Sequence, residues 1–117
     1  MRHLKEGRKF NRLRGDRISF LRNLANDVIR AEKIETTEAR AKAVRPIVEK
    51  LVTFAKKNDL ASRRLISSRV QNQRITKKLC DDLGPRYAER KGGYLRIVKL
   101  QKARKRDGVT MARVEFV

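Results

Sequence analysis

Arg2, Lys5, Arg8, Lys9, Arg12 and Arg14 follow one another mostly two or three positions apart, with His3, Gly7 and Asn11 between them and Gly15 just after. An extended chain advances roughly 3.3 Å per residue, so such cations recur every ~3–10 Å. That spacing suits a polyanionic backbone, tracked along one strand or crossed between two. A solvated tail that only aids solubility would also be basic. The near absence of acids and the interleaved Gly, Asn and His favour binding.

A second cluster, Arg104, Lys105 and Arg106, lies within Lys102-Ala103-Arg104-Lys105-Arg106-Asp107-Gly108. Asp-Gly signals a turn, so an antiparallel hairpin with a basic tip near 102–108 is expected. Such a ribbon pushes its cations into a groove far from the core. A charged edge that only blocks sheet-to-sheet pairing would need no more than one lysine.

The stretch Arg86 to Arg96 mixes cations, aromatics and glycines. Tyrosine stacks on bases and glycine admits close approach to phosphate. Tyr87 and Tyr94 nevertheless read better as core cover with their hydroxyls at the surface, while Arg86, Arg90, Lys91 and Arg96 read as RNA contacts. Arg17 and Arg22 fall off the apolar stripe of the first expected helix and join them. Arg63-Arg64 suit RNA and water equally well and complete the candidate set, together with His3 and Asn11.

Enzyme chemistry finds no footing. His3 is the single histidine and has no recognisable partner for a triad or a metal site. One cysteine, Cys80, excludes an intrachain disulfide and a thiolate cluster. It reads as a small core residue in a reducing, cytoplasmic setting. Asp81-Asp82 are expected to pair with nearby Arg or Lys rather than hold a metal. Neither a phosphate-binding Gly-Lys loop nor G-x-S-x-G occurs. No cofactor, metal or small-molecule substrate is expected. No apolar run approaches the ~20 residues of a membrane span, and no secretory signal follows the basic start.

The charge is uneven. Of a net +19 on 117 residues, positions 1–17 hold seven Lys/Arg against two acids, and positions 86–106 hold nine against one. Like charges crowded on one small fold repel, and a dense polyanion is the simplest partner that turns this cost into binding.

The elements that must carry these cations can be placed by period. A helix capped near Asp16 puts Ile18, Leu21, Leu24, Ala25, Val28 and Ile29 on one stripe. Lys33–Thr37 is a short β-branched strand. Thr36 or Thr37 then caps a helix whose stripe is Val44, Ile47, Val48, Leu51, Val52 and Ala55. Pro46 either kinks that helix or separates two. After Asn58-Asp59, a third helix turns Ala61, Leu65, Ile66 and Val70 inward. Asn72 caps a fourth, with Ile75, Leu79 and Leu83 inward and a stop at Gly84-Pro85, where glycine takes the left-handed position. Strands follow at Tyr94–Gln101 and Val109–Val117, the latter with Thr110, Ala112, Val114 and Phe116 on one face. The order α-β-α-α-α-β-β predicts an α/β (α+β) fold of two layers, a small three-stranded sheet covered by about four helices. One domain, 1–117, is expected, with an extended basic arm at 1–15 and a globular core at 16–117.

Met1-Arg2-His3, Gly7-Arg8-Lys9, Asn11-Arg12, Arg22-Asn23, Thr36-Thr37, Ala41-Lys42, Arg63-Arg64, Gly84-Pro85-Arg86-Tyr87, Gly92-Gly93-Tyr94-Leu95-Arg96-Ile97 and Arg106-Asp107-Gly108 together resemble the bacterial large-subunit ribosomal protein seventeen family, in the family's order. Leu13-Arg14-Gly15-Asp16 departs from the small hydroxyl residues usual there. The resemblance implies a two-layer fold with a three-stranded sheet. It also implies binding to large-subunit rRNA near the outer mouth of the nascent-chain exit tunnel, beside neighbouring ribosomal proteins. The alternative is a DNA-binding architectural protein of the nucleoid type, for which apolar wedges or a dimer-related recognition helix would be expected. Neither is visible.

Overall fold

A computed structural model describes residues 8–117; Arg2, His3 and Lys5 lie outside the described residues. The chain runs α1 (Arg14–Ala31), β1 (Lys33–Thr37), α2 (Glu38–Lys57), α3 (Leu60–Val70) and α4 (Gln73–Lys78). A π turn (Leu79–Leu83) leads into the short α5 (Gly84–Arg86), then β2 (Leu95–Ala103) and β3 (Thr110–Phe116).

Three helices start where a short polar side chain takes up their first free amides. The Thr37 hydroxyl accepts from the Arg40 N–H at 3.2 Å and opens α2. The Asp59 carboxylate accepts from the Ser62 N–H at 2.7 Å and opens α3. The Asn72 amide oxygen accepts from the N–H groups of Arg74 and Ile75 at 3.0 and 3.2 Å and opens α4.

α1 departs from this pattern and from expectation. It follows extended Leu13 without a side-chain cap, so Arg14 and Gly15 belong to the helix rather than to the arm. Asp16 is no cap; it lies in the first turn, where a carboxylate is still favourable to the helix dipole. α2 is one helix with Pro46 inside it. Both Pro46 and Lys42, whose carbonyl loses its N–H partner, are exposed, so the break in the ladder falls on the wet side.

The expected stop at Gly84 is also overturned. Gly84 is right-handed, at φ −57° and ψ −56°, and the chain passes from the π turn straight into α5. Glycine is required there for closeness instead: a Cβ would stand 2.7 Å from the Ala55 carbonyl oxygen of α2.

The sheet is antiparallel in the order β1-β3-β2, which puts the C-terminal strand in the centre. Ile34, Val114 and Ile97 line up across it, as do Thr36, Ala112 and Lys99. α2 packs against all three strands, and α1 packs on α2 and β1. Val28, Ile29, Val44, Val48, Val52, Ile66, Leu79, Leu83, Leu95 and Val114 are fully buried between the layers. Each such side chain stabilises by about 1.5–3 kcal/mol, against about 0–1 kcal/mol for an exposed ion pair. Apolar packing around α2, not the many surface ion pairs, therefore holds the layers together.

Two expected core positions face solvent. Ala61 is exposed, because the inward stripe of α3 is Ser62, Ile66 and Val70, each four residues on. Ile18 is 51% exposed on the edge of a groove between α1, α2 and α3 that no element among the described residues fills. The strands differ from expectation by one or two residues at their ends, the usual scale of fraying.

Candidate nucleic-acid interface

The β2–β3 hairpin closes through Gly108, whose N–H reaches the Arg104 carbonyl at 3.0 Å with φ at +63°, a conformation glycine takes freely. The Asp107 carboxylate holds the Arg104 guanidinium at 2.6 and 3.2 Å and accepts the Val109 N–H at 3.3 Å. Arg104 thus stiffens the tip. Lys105 and Arg106 are exposed and meet no acid within ion-pair distance among the described residues.

The segment from Arg86 to Arg96 is more tightly tied. Arg86 hydrogen-bonds the Glu32 carboxylate at the end of α1 and both oxygens of Asp82, at 2.9 and 3.1 Å. The bond from Arg86 holds the Glu32 carboxyl below the ordinary carboxylate range. Arg90 donates to the carbonyls of Gly92 and Gly93, both at 3.2 Å. Arg96 pairs with Glu115 across the sheet at 2.8 Å. Arg90 and Lys91 are both exposed with no acid partner among the described residues, Arg90 being held by the two glycine carbonyls and Lys91 standing free of them. Tyr87 and Tyr94 are buried. The Tyr87 hydroxyl donates to the Val117 carbonyl at 2.7 Å, and the Tyr94 hydroxyl accepts from Lys56 Nζ at 3.0 Å. Both serve as core cover, and neither presents a face for a base.

At the root of the arm, Arg8 and Lys9 are exposed. Phe10 packs on Phe20 of α1, with ring centroids 5.4 Å apart. Arg12 lies over the same ring, its Cζ 4.0 Å from the centroid, and Arg40 of α2 approaches it to 5.0 Å. Phe10 and Asn11 both sit at φ +52°, an uncommon conformation for a bulky residue, and the Arg12 N–H closes the turn on the Lys9 carbonyl at 3.1 Å. This part of the arm is therefore folded onto α1 rather than extended. Arg8 and Arg17 share a hollow with Leu21 and Lys42. Arg14 is exposed and Arg22 half-buried.

Between α3 and α4, Arg63 and Arg64 line a hollow with Ser67, Gln73 and Lys77. Arg63 stands 3.7 Å from Asp81; Arg64 and Lys77 have no acid partner among the described residues. Asp81 and Asp82 are thus paired with arginines, as expected. Cys80 is buried among apolar residues, and that burial pushes its thiol upward.

Within the described residues the structure thus spreads the candidate cations over four places: the arm root with α1, the α3–α4 hollow, the segment from Arg86 to Arg96 and the hairpin tip. Arg40 at the arm root, Lys77 in the α3–α4 hollow, and Lys50 and Arg69 along the groove between α1, α2 and α3 are not among the sequence-based candidates. Each lies on a helix beside an apolar stripe, which in sequence looks the same as an ordinary solvated face.

Residues 20–117 match the family model described as Ribosomal protein L17. The chain is 47% identical to the Large ribosomal subunit protein bL17 of Maridesulfovibrio salexigens, over 99% of this chain and 82% of that protein. It is 45% identical to the protein of the same name from Hydrogenobaculum sp. and 43% identical to that from Thermus thermophilus, each over 100% of this chain and 99% of the relative.

Proposed function

Because the chain belongs to the ribosomal protein L17 family, a non-enzymatic structural constituent of the large subunit of the bacterial ribosome, we propose that it braces large-subunit rRNA by electrostatic neutralisation, as a single rRNA-binding domain over 1–117. The arm cations Arg2, Lys5, Arg8, Lys9, Arg12 and Arg14, with His3 and Asn11, enter folded RNA at one end. Lys105 and Arg106 enter at the other. Arg17, Arg22, Arg63, Arg64 and Lys91 meet phosphates between them, while Arg86, Arg90, Arg96 and Arg104 set the shape of the surface. Neighbouring ribosomal proteins near the outer mouth of the nascent-chain exit tunnel complete the setting.

The observation that carries this reading is the fate of the acids. Glu32, Glu35, Glu38, Glu49, Asp81, Asp82, Asp107 and Glu115 are each paired with a cation of the same chain. The excess charge is left to the exposed Lys and Arg with no acid beside them, which then need a partner from outside.

Binding to an rRNA fragment across a salt series tests it. About eight phosphate contacts give a log–log slope of roughly −6 to −7, at about −0.7 to −0.9 per contact. A flat dependence defeats the reading.

A further inference from the structure

Between α1, α2 and α3 lies an open groove of about 290 Å³. Leu21, Ile47 and Leu51 give it an apolar floor with Ile18 at its edge, and Arg22, Lys50 and Arg69 stand among its lining residues with no acid. The Arg69 guanidinium lies over the Phe54 ring, 5.3 Å from its centroid, which holds that cation in place. Leu21 also lines the hollow of Arg8, Arg17 and Lys42, so the two hollows share that side chain.

We propose that this groove seats an unstacked base of large-subunit rRNA, with the adjoining phosphates on Arg22, Lys50 and Arg69. The inference rests on the rRNA-bracing reading and adds a base-contacting site to it. A planar base is apolar on its faces and anionic at its phosphates, and an apolar slot walled by cations matches both properties. Bulged or looped nucleotides offer such bases, and duplex RNA does not. A partner protein fits less well. Its apolar anchor would need acids around it to meet the three cations. The shared Leu21 sets the arm root beside the groove, so RNA held by Arg8 and Arg17 lies near it.

The test uses assembled large subunits carrying a benzophenone side chain in place of Ile18, of Lys50 or, separately, of Lys105. All three positions are exposed, so the substitutions leave the core intact. Under irradiation, the probe at 18 or at 50 is expected to attach to rRNA at a nucleotide in a bulge or loop, mapped by reverse-transcription stops. Absence of such an attachment from both groove positions overturns the proposal, whether they capture a protein, a duplex nucleotide or nothing. The probe at 105 separates the two readings. If it attaches to RNA while the groove probes do not, only the groove assignment fails. If it too misses RNA, the bracing reading fails with it.

Discussion

Gly84 rests against the main chain of Ala55 so closely that a Cβ there would stand 2.7 Å from the Ala55 oxygen and 3.0 Å from its carbonyl carbon. Two effects of Gly84→Ala oppose each other. Alanine gains about 1 kcal/mol of helix propensity over glycine at a right-handed position. Overpacking of a tight core contact costs about 1–3 kcal/mol, and here the obstacle is backbone, which has no rotamer to change. Net destabilisation of about 1–2 kcal/mol is expected, read as a lower urea midpoint at unchanged slope. A stabilised Gly84→Ala protein would show that α2 and α5 are free to move apart.

Arg86 links the end of α1 to the π turn through Glu32 and Asp82. Its bond to Glu32 lowers that carboxyl, as Lys102 lowers Glu35 and Arg96 lowers Glu115. A carboxylate lowered in the fold contributes stability above its unfolded pKa, and that stability is lost as pH falls through its folded value. The urea midpoint is therefore expected to be level near neutrality and to fall below about pH 4–5. Arg86→Met is expected to cost up to about 1 kcal/mol at pH 7, since the pair is partly exposed, and to flatten part of the acid decline. Because Arg86 is already engaged by two carboxylates, the salt slope of rRNA binding is expected to stay as in the unaltered protein. A slope reduced by nearly one unit would move Arg86 onto the RNA.

What could be read in sequence divides along a physical line. Thr37, Asp59 and Asn72 act on amides two or three residues away, and Ile75, Leu79 and Leu83 repeat at helical spacing. Caps and stripes are local, so the element order follows from them. Gly84 is different: as a helix stop it needs only its neighbours, but as a packing contact it needs Ala55, twenty-nine positions earlier. Arg86 and Arg96 carry the same limitation. In sequence they are cations beside tyrosines; in the fold their carboxylate partners Glu32 and Glu115 come from other elements. Lys50 and Arg69 enter the site only because α1, α2 and α3 leave a groove between them.

Lys105 and Arg106 stand at the hairpin tip without acid partners among the described residues, and Arg104 is held by Asp107. Lys105→Ala with Arg106→Ala is expected to reduce the salt slope of rRNA binding by about 1.4–1.8, with thermal stability unchanged. Arg104→Ala is expected to reduce it by less and to loosen the turn. An unchanged slope in the double variant would place the tip away from phosphate.

The Tyr87 hydroxyl donates to the main-chain oxygen of Val117 over 2.7 Å. Tyr87→Phe keeps the ring between Tyr94 and Phe116 and removes only that bond. A loss of about 0.5–1.5 kcal/mol is expected, with faster amide exchange at the end of β3. Affinity for rRNA is expected to be unchanged, because the ring is core. Weaker RNA binding at equal stability would instead make Tyr87 a contact.

Phe20 anchors the root of the arm by packing on Phe10 and carrying Arg12 and Arg40 on its ring. Phe20→Ala removes the anchor but no charge. An arm held near its bound path loses less conformational freedom on binding than a free one. The two parts of affinity then separate. The number of phosphates neutralised sets the salt slope, and pre-ordering sets the offset. Plots of log affinity against log salt for Phe20→Ala and the unaltered protein are expected to be parallel, with the variant about tenfold weaker throughout. Removal of residues 1–8, by contrast, deletes cations but keeps the Lys9 carbonyl that closes the turn, and is expected to reduce the slope while leaving the Phe10–Phe20 contact and the core folded. Coincident lines for Phe20→Ala would show that the packing has no part in binding, and a changed slope would show that Phe20 controls which cations reach the RNA.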